Sequence, residues 1–212
     1  MLRKIEDRFR DADAYANAMG AAAFEERLYS GRANGEFTWH KEELLLGFFA
    51  QEYNKLRFPQ LVWADHHAPH TNRADFSVYS EDRNYVCDIE MTAVFSKPTK
   101  KNPSGYEDYS PFSVWPDPVV PGILHQDIDR PPKVEPYAWL RRVIETHLRK
   151  RYSSYWLVIY DNEHAVHHPN LDQLAEKITG VLEDKASRNR LPSALKQVWG
   201  FDHHGAIQAF PF

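Results

Sequence analysis

The sequence predicts one mixed α/β domain, built on a central mixed sheet with helices on its faces. Three observations predict this class. The 212 residues suit a single domain with a substantial core. Hydrophobic residues make up 42% of the chain and include 12 Phe, 11 Tyr and 6 Trp, so the apolar surface for such a core is present. Helical and strand-like patterns follow each other in the order α, α, βββ, loop, α, β, α, β.

Two helices and three strands are predicted in the first half of the chain. Residues 4–29 have the apolar spacing of a helix, which makes 1–39 an N-terminal helical extension. A second helix is predicted over 40–57, with an apolar stripe formed by Leu45, Phe48, Phe49 and Leu56. Three strands are predicted next, over 61–65, 74–80 and 85–95. Residues 40–96 therefore form a helix followed by a β-meander.

The second half begins with a proline-rich insertion and then completes the sheet. Residues 97–136 hold 9 of the 14 prolines, which predicts a long loop insertion. Residues 137–212 supply the remaining elements: a helix over 137–152, a strand over 155–160, a helix that Asn170 caps, and one or two strands over 195–210. The strand over 155–160 is a continuous apolar run, which is typical of a strand buried on both faces.

Composition excludes several classes of protein. Cys87 is the single cysteine, which excludes a disulfide framework and cysteine-based zinc fingers and predicts a cytoplasmic protein. No apolar run reaches the length of a membrane span, so no membrane partner is expected. The formal net charge is −4, and residues 61–96 hold 2 basic and 6 acidic groups, whereas 141–151 is locally basic. The acidic centre of the chain is thus the predicted β-meander.

Acidic side chains gather on the hairpin of the second and third predicted strands. Alternation along the third strand directs Cys87 to the core and leaves the opposite face to Asp88, Glu90 and Thr92. Asp75 opens the preceding strand, so a hairpin places it at the same end of the sheet as Glu90. Two such carboxylates repel each other unless a cation neutralises them. Because a hard divalent ion prefers oxygen ligands, the pair predicts a pocket for Mg²⁺.

This order of elements and acids resembles the PD-(D/E)XK nuclease superfamily, which has the restriction-endonuclease-like fold. Its members have a helix with a glutamate, then a β-meander with an aspartate on the second strand and a (D/E)-X-K tripeptide on the third. The matching residues are Glu43, Asp75 and Glu90, within a resemblance that covers about 41–160. Thr92 stands where the motif has lysine. The resemblance implies a restriction-endonuclease-like core and a divalent-metal-dependent nuclease.

The resemblance also implies roles for individual residues. The implied catalytic residues are Asp75, Glu90, Glu43 and Thr92, and the implied ligands of Mg²⁺ or Mn²⁺ are Asp75, Glu90 and Asp88. Glu43 is expected as an outer ligand or as the group that orients the attacking water, with Glu42 and Glu52 as alternatives. The missing lysine has three candidate replacements: Lys97, Lys133 and Arg141. The alternative function is a catalytically inactive nuclease-like module that binds nucleic acid or a protein partner.

Basic residues predict contacts with the phosphate backbone of nucleic acid. The candidates are Lys97 in the insertion and four residues of the helix over 137–152, namely Arg141, Arg142, Arg149 and Lys150. Aromatic residues of the insertion can stack on bases: Tyr106, Tyr109 and Trp115. The choice between DNA and RNA stays open. Because cutting both strands of a duplex usually takes two active sites, a homodimer is expected.

Other catalytic classes have weaker support in the sequence. The chain has 11 histidines, but no HExxH pair, so a zinc site built from histidines alone is disfavoured. An auxiliary acid or base near Asp75 can come from His66, His67 or His70. The motifs GxSxG, GxxxxGK and GxGxxG are absent from the sequence, which leaves serine hydrolases, P-loop proteins and Rossmann enzymes without support.

Overall fold

A computed structural model describes most of the predicted elements. The residues it describes are 1–20, 23, 35–68, 73–94, 140–150, 152–161, 171–188, 190–202 and 207–211. The predicted insertion 97–136, the cap at Asn170 and the turn at Gly205 lie outside them.

A seven-stranded mixed sheet forms the centre of the molecule. Its strands lie side by side in chain order: β1 (Leu2–Lys4), β2 (Trp63–His66), β3 (Phe76–Tyr79), β4 (Tyr85–Val94), β5 (Tyr155–Asp161), β6 (Leu195–Asp202) and β7 (Ile207–Phe210). The pairs β4–β5 and β5–β6 are parallel, and the other neighbouring pairs are antiparallel. The predicted mixed sheet is therefore confirmed.

Helices cover both faces of this sheet. They are α1 (Ile5–Met19), α2 (Gly35–Leu56), α3 (Leu140–Leu148) and α4 (Leu171–Ser187). One core lies between the sheet and α1 with α2, and a second core lies between the sheet and α3 with α4. From α2 to β5 the elements follow the order α, βββ, α, β. Among the described residues, no helix is both long and apolar enough to cross a bilayer.

Strand β5 shows how the two cores share the sheet. Val158 and Tyr160 belong to the core of α1 and α2, whereas Leu157 and Ile159 belong to the core of α3 and α4. Because side chains alternate along a strand, two of the four enter each core, and all four are buried. The prediction of a strand buried on both faces is confirmed.

The N-terminal elements differ from the prediction. Residues 2–4 form a short strand that pairs with β2, and α1 ends at Met19 rather than continuing to residue 29. Gly20 follows α1 with a φ of +83°, a conformation that glycine adopts without strain. Helix α2 begins at Gly35, about one turn before the predicted start. Its last residue, Leu56, is exposed rather than part of the apolar stripe.

Two leucines of α2 offer a matched test of the core. Leu46 is fully buried, whereas Leu56 is 64% exposed. We expect Leu46→Ala to lower the free energy of unfolding by about 2–5 kcal/mol, because a buried cavity is left behind. Leu56→Ala should change it by less than about 0.5 kcal/mol. Urea denaturation followed by circular dichroism measures both, and equal losses would contradict this packing of α2.

Candidate functional site

The hairpin of β3 and β4 brings Asp75 and Glu90 together. Phe76 pairs with Ile89 in the antiparallel register, so the next position outward places Asp75 opposite Glu90. The backbone N–H of Met91 donates to Asp75 Oδ2 at 2.8 Å, which holds the aspartate against β4. The expected juxtaposition of the two carboxylates at one end of the hairpin is therefore present.

Glu90 is a buried carboxylate with three donors. Its residue is 1% exposed. His147 Nδ1 donates to Oε1 at 2.8 Å, Tyr152 Oη donates to Oε2 at 2.8 Å, and Lys150 forms an ion pair with Oε1. Burial alone would raise the pKa of Glu90, but the hydrogen bonds from His147 and Lys150 outweigh it and lower that pKa. Glu90 is therefore held as an anion.

Asp75 has the opposite electrostatic balance. Burial raises its pKa most, and the charges of Glu90 and Glu42 raise it further, to about 7. The hydrogen bond from Met91 and the charge of Lys150 lower it by less. When Asp75 ionises near neutral pH, the two carboxylates thus carry more negative charge than the neighbouring cationic groups neutralise.

The three candidate glutamates of α2 have different environments. Glu43 is 2% exposed and accepts a hydrogen bond from Arg8 Nη1 at 2.5 Å. Burial would raise the pKa of Glu43, yet His66 and Arg8 lower it overall. Glu52 pairs with the exposed Lys55 one turn further along the helix. Among the three, Glu42 is the one whose charge acts on the pKa of Asp75.

A buried ionic network occupies the sheet face covered by α1 and α2. His66 lies between two glutamates, with Nε2 at 2.9 Å from Glu42 Oε2 and Nδ1 at 3.4 Å from Glu43 Oε1. The indole of Trp39 stacks on the His66 ring with centroids 3.6 Å apart. Burial lowers the pKa of His66, but its hydrogen bonds to the carboxylates of Glu42 and Glu43 raise it overall. Glu43 and His66 therefore join α1, α2 and β2, and Glu42 lies at the edge of this network.

The cation beside the carboxylates comes from the end of α3. Thr92, at the motif lysine position, lies on β4 opposite Ile159 of β5. Lys150 reaches Glu90 from the segment between α3 and β5. Arg141 instead bonds Asp184 at 3.1 Å. Lys97 and Lys133 lie outside the described residues. Sequence reasoning assigned Lys150 to phosphate binding and did not place it at Glu90.

The predicted phosphate-binding residues are dispersed among the described parts of the chain. Arg141 is engaged with α4, Lys150 lies at the carboxylates, and Arg149 is exposed beside it. Arg142 lies in α3, but its side chain is outside the described residues, as is Lys97.

A pocket of about 270 Å³ adjoins the carboxyl pair. It is lined by His67, Arg73, Ala74, Ser77, Tyr85, Asp88, Tyr152 and Ser153. Ser77 Oγ donates to Asp88 Oδ1 at 2.6 Å, so Asp88 belongs to the pocket wall. His67 Nδ1 donates to the carbonyl oxygen of Ala74 at 2.7 Å. Asp88 and Glu90 share a strand face, but their hydrogen-bonding partners differ.

The described parts of the chain hold their candidate metal ligands in small groups. There, no group of three or more His, Cys, Asp or Glu side chains is placed to hold a metal ion. His66 lies in the ionic network and His67 in the pocket wall, while His70 is outside the described residues. Cys87 is buried in the core of α1 and α2, as expected from alternation. Any divalent ion here would therefore depend on the Asp75–Glu90 pair and on water.

Comparisons of the chain with protein-family models, with curated proteins and with solved structures found no match. The superfamily assignment therefore stays a prediction.

The raised pKa of Asp75 predicts a pH dependence of stability. Native Asp75 keeps its proton until about pH 7, whereas an unfolded aspartate releases it near 3.8. The native state binds more protons between these values, so this residue's contribution to stability falls as pH rises through that window. We expect Asp75→Asn to remove the part of this pH-dependent loss of stability that Asp75 causes. Urea denaturation between about pH 4 and pH 7 measures it.

A matched control is Asp82→Asn in the exposed β3–β4 turn, which should retain the wild-type pH profile. Carboxyl ¹³C NMR gives a direct readout: Glu90→Gln should lower the pKa of Asp75, because it removes a neighbouring charge. An Asp75 that titrates near 4 in the wild type would contradict this electrostatic account.

The environments of Glu43 and Glu52 predict different stability effects. Glu43→Gln leaves the buried Arg8 without its charged partner, so we expect a loss of about 3–5 kcal/mol in the free energy of unfolding. Glu52→Gln breaks a pair with an exposed lysine and should cost less than about 1 kcal/mol. Denaturant unfolding of both variants tests this, and a stable Glu43→Gln protein would exclude the structural role.

Proposed function

We propose that this protein is a divalent-metal-dependent phosphodiesterase that acts on nucleic acid, with chemistry of the PD-(D/E)XK type. The observation that carries the proposal is the placement of Asp75 opposite Glu90 with Lys150 paired to Glu90. Two carboxylates and a lysine are the residue types of that motif. The order α, βββ, α, β from α2 to β5 is also the one that the resemblance implies.

The donor set fits Mg²⁺ or Mn²⁺. Proteins usually hold Mg²⁺ through one or two carboxylates, and water completes the coordination. Asp75 and Glu90 would supply those carboxylates. Burial, together with the charges of Glu90 and Glu42, raises the pKa of Asp75, and a bound cation would favour its ionised form. Bound there, the ion would polarise a phosphate and lower the pKa of its water. Asp88 is a weaker candidate ligand, because Ser77 Oγ already donates to it at 2.6 Å.

The chain's own residues have distinct roles in this proposal. Lys150 supplies the positive charge that the motif lysine normally brings, which allows Thr92 at the motif position. Its ammonium would hold the attacking water or a phosphate oxygen. Glu42, rather than Glu43, is the helix glutamate with an electrostatic link to Asp75. Arg149, which is exposed, would contact the neighbouring backbone phosphate.

The second candidate function is a catalytically inactive module that binds nucleic acid or a protein. One observation favours it: Glu90 already has His147, Lys150 and Tyr152 as donors. A carboxylate satisfied in this way is stable without a metal ion. The two functions therefore differ in whether Mg²⁺ displaces Lys150 from Glu90.

Cleavage assays test the proposed function. Purified protein with Mg²⁺ or Mn²⁺ should cleave labelled single- or double-stranded DNA or RNA, and chelation should stop it. Glu90→Ala and the near-isosteric Glu90→Gln should each lower the rate on the order of 100-fold or more, because the metal loses a ligand. Glu81→Gln, an exposed acid of the same hairpin, should cleave like the wild type.

Circular dichroism on each variant separates lost chemistry from lost fold. Undiminished cleavage by a folded Glu90→Gln protein would exclude this site. Salt-dependent binding of the same substrates without metal-dependent turnover would favour the inactive module. In that case Mg²⁺ should also leave the pKa of Asp75 unchanged, whereas a metal ligand's pKa falls.

A further inference from the structure

The pocket beside the carboxyl pair is connected to it through two residues. Ala74 lines the pocket and precedes Asp75, and Tyr152 lines the pocket while its hydroxyl donates to Glu90 at 2.8 Å. Drug-sized ligands usually occupy pockets of roughly 300–1,000 Å³. At about 270 Å³, this pocket is sized for a single flat ring system rather than for a duplex.

Two tyrosines line the pocket, and each is held by a neighbouring side chain. Tyr152 Oη donates to Glu90 Oε2 at 2.8 Å, and the Tyr85 ring meets the Tyr79 ring edge-on with centroids 5.8 Å apart. The Tyr85 residue is nevertheless 54% exposed, although large apolar side chains are usually covered. A rigid, exposed aromatic ring is a stacking platform for a nucleobase.

The polar groups of the wall favour a ligand that donates hydrogen bonds. Ser77 gives its single hydroxyl proton to Asp88, and His67 gives its Nδ1 proton to the Ala74 carbonyl. The other ring nitrogen of His67, Nε2, lies 3.3 Å from Ser77 Oγ. An ionised carboxylate has about four acceptor positions, so Asp88 has capacity left after it accepts from Ser77. Arg73, at the exposed side, supplies donors for a ring nitrogen or carbonyl oxygen.

We propose that this pocket binds one unpaired nucleobase that carries an exocyclic amino group, with Asp88 accepting from that group. Aspartate is the side chain that accepts from cytosine N4. Uracil has a carbonyl oxygen at the same ring position, which would face the Asp88 carboxylate. This inference rests on the proposed phosphodiesterase function and names its substrate. That substrate is a nucleic acid that is single-stranded at the cleaved bond, with a cytosine-like base next to the phosphate at Asp75 and Glu90.

The test compares CMP with UMP by isothermal titration calorimetry in EDTA, so that neither metal nor cleavage is needed. The two ligands share their phosphate and sugar, so the ratio of their dissociation constants reports on the base alone. We expect the wild type to bind CMP about tenfold more tightly than UMP. Tyr85→Leu should weaken both ligands without changing the ratio, because it removes stacking only.

Asp88→Asn is the decisive variant. Ser77 would hold the amide oxygen, so the amide NH₂ group would face the base and favour the uracil carbonyl. We expect the CMP preference to disappear or to reverse. Asp82→Asn changes the same charge in the same hairpin, outside the pocket wall, and should keep the wild-type ratio.

The outcomes also separate this inference from the proposed function. Equal binding of CMP and UMP, no binding of either, or an unchanged ratio in a folded Asp88→Asn protein would overturn the base pocket, even where Glu90→Gln abolishes cleavage. A CMP preference that depends on Asp88, together with no cleavage of any substrate, would support the pocket and overturn the hydrolysis.

Discussion

The charge of Glu90 is the constraint on which this side of the molecule depends. Burying a carboxylate costs several kcal/mol unless donors surround it. All three side-chain donors come from residues 147–152, the end of α3 and the segment that leads into β5. The parallel pairing of β4 with β5 and the packing of α3 on the sheet therefore bring these donors to Glu90. Among the described residues no comparable set of donors surrounds Asp75, so the same arrangement stabilises one carboxylate and leaves its neighbour prone to hold a proton.

The two sheet faces carry separate ionic systems with different consequences. Under α1 and α2, Glu43 bonds both Arg8 and His66 in a buried network. On the opposite face, the Glu90 cluster opens towards a pocket, and Lys150 keeps a side chain that is 38% exposed. A buried network mainly fixes the positions of the elements it joins, whereas an accessible charged cluster next to a cavity can exchange partners with a ligand. Glu42 links the two systems electrostatically, because it bonds His66 and its charge raises the pKa of Asp75.

Predictions from the sequence were most accurate where side chains alternate along a strand with a period of two residues. Alternation along β4 predicted that Cys87 faces the core and that Asp88 and Glu90 share the other face, and the polar turn predicted the hairpin that brings Asp75 opposite Glu90. Strand β1 was not predicted, because its three residues are too few to show the alternation of a strand. Glu42 and Glu43 are adjacent on one helix, so only the tertiary contact with Arg8 distinguishes them. One feature of the sequence could have indicated where Lys150 lies. A crossover between two parallel strands through a helix returns the chain to the end of the sheet where β4 starts.

Strand β4 carries both the proposed metal ligand and the proposed base-reading residue. Asp88 and Glu90 are two residues apart on one face, which separates them by about 7 Å along the strand. That spacing is comparable to the distance between a base and the phosphate of its own nucleotide, so one nucleotide can reach both. Tyr152 lines the pocket and bonds Glu90, which ties the wall of one site to the carboxylate of the other. Because a paired strand is rigid, a base held at Asp88 would fix which phosphate lies at Asp75 and Glu90. The backbone of β4 would then determine both which base is recognised and which phosphate is cleaved, without the movement of a loop.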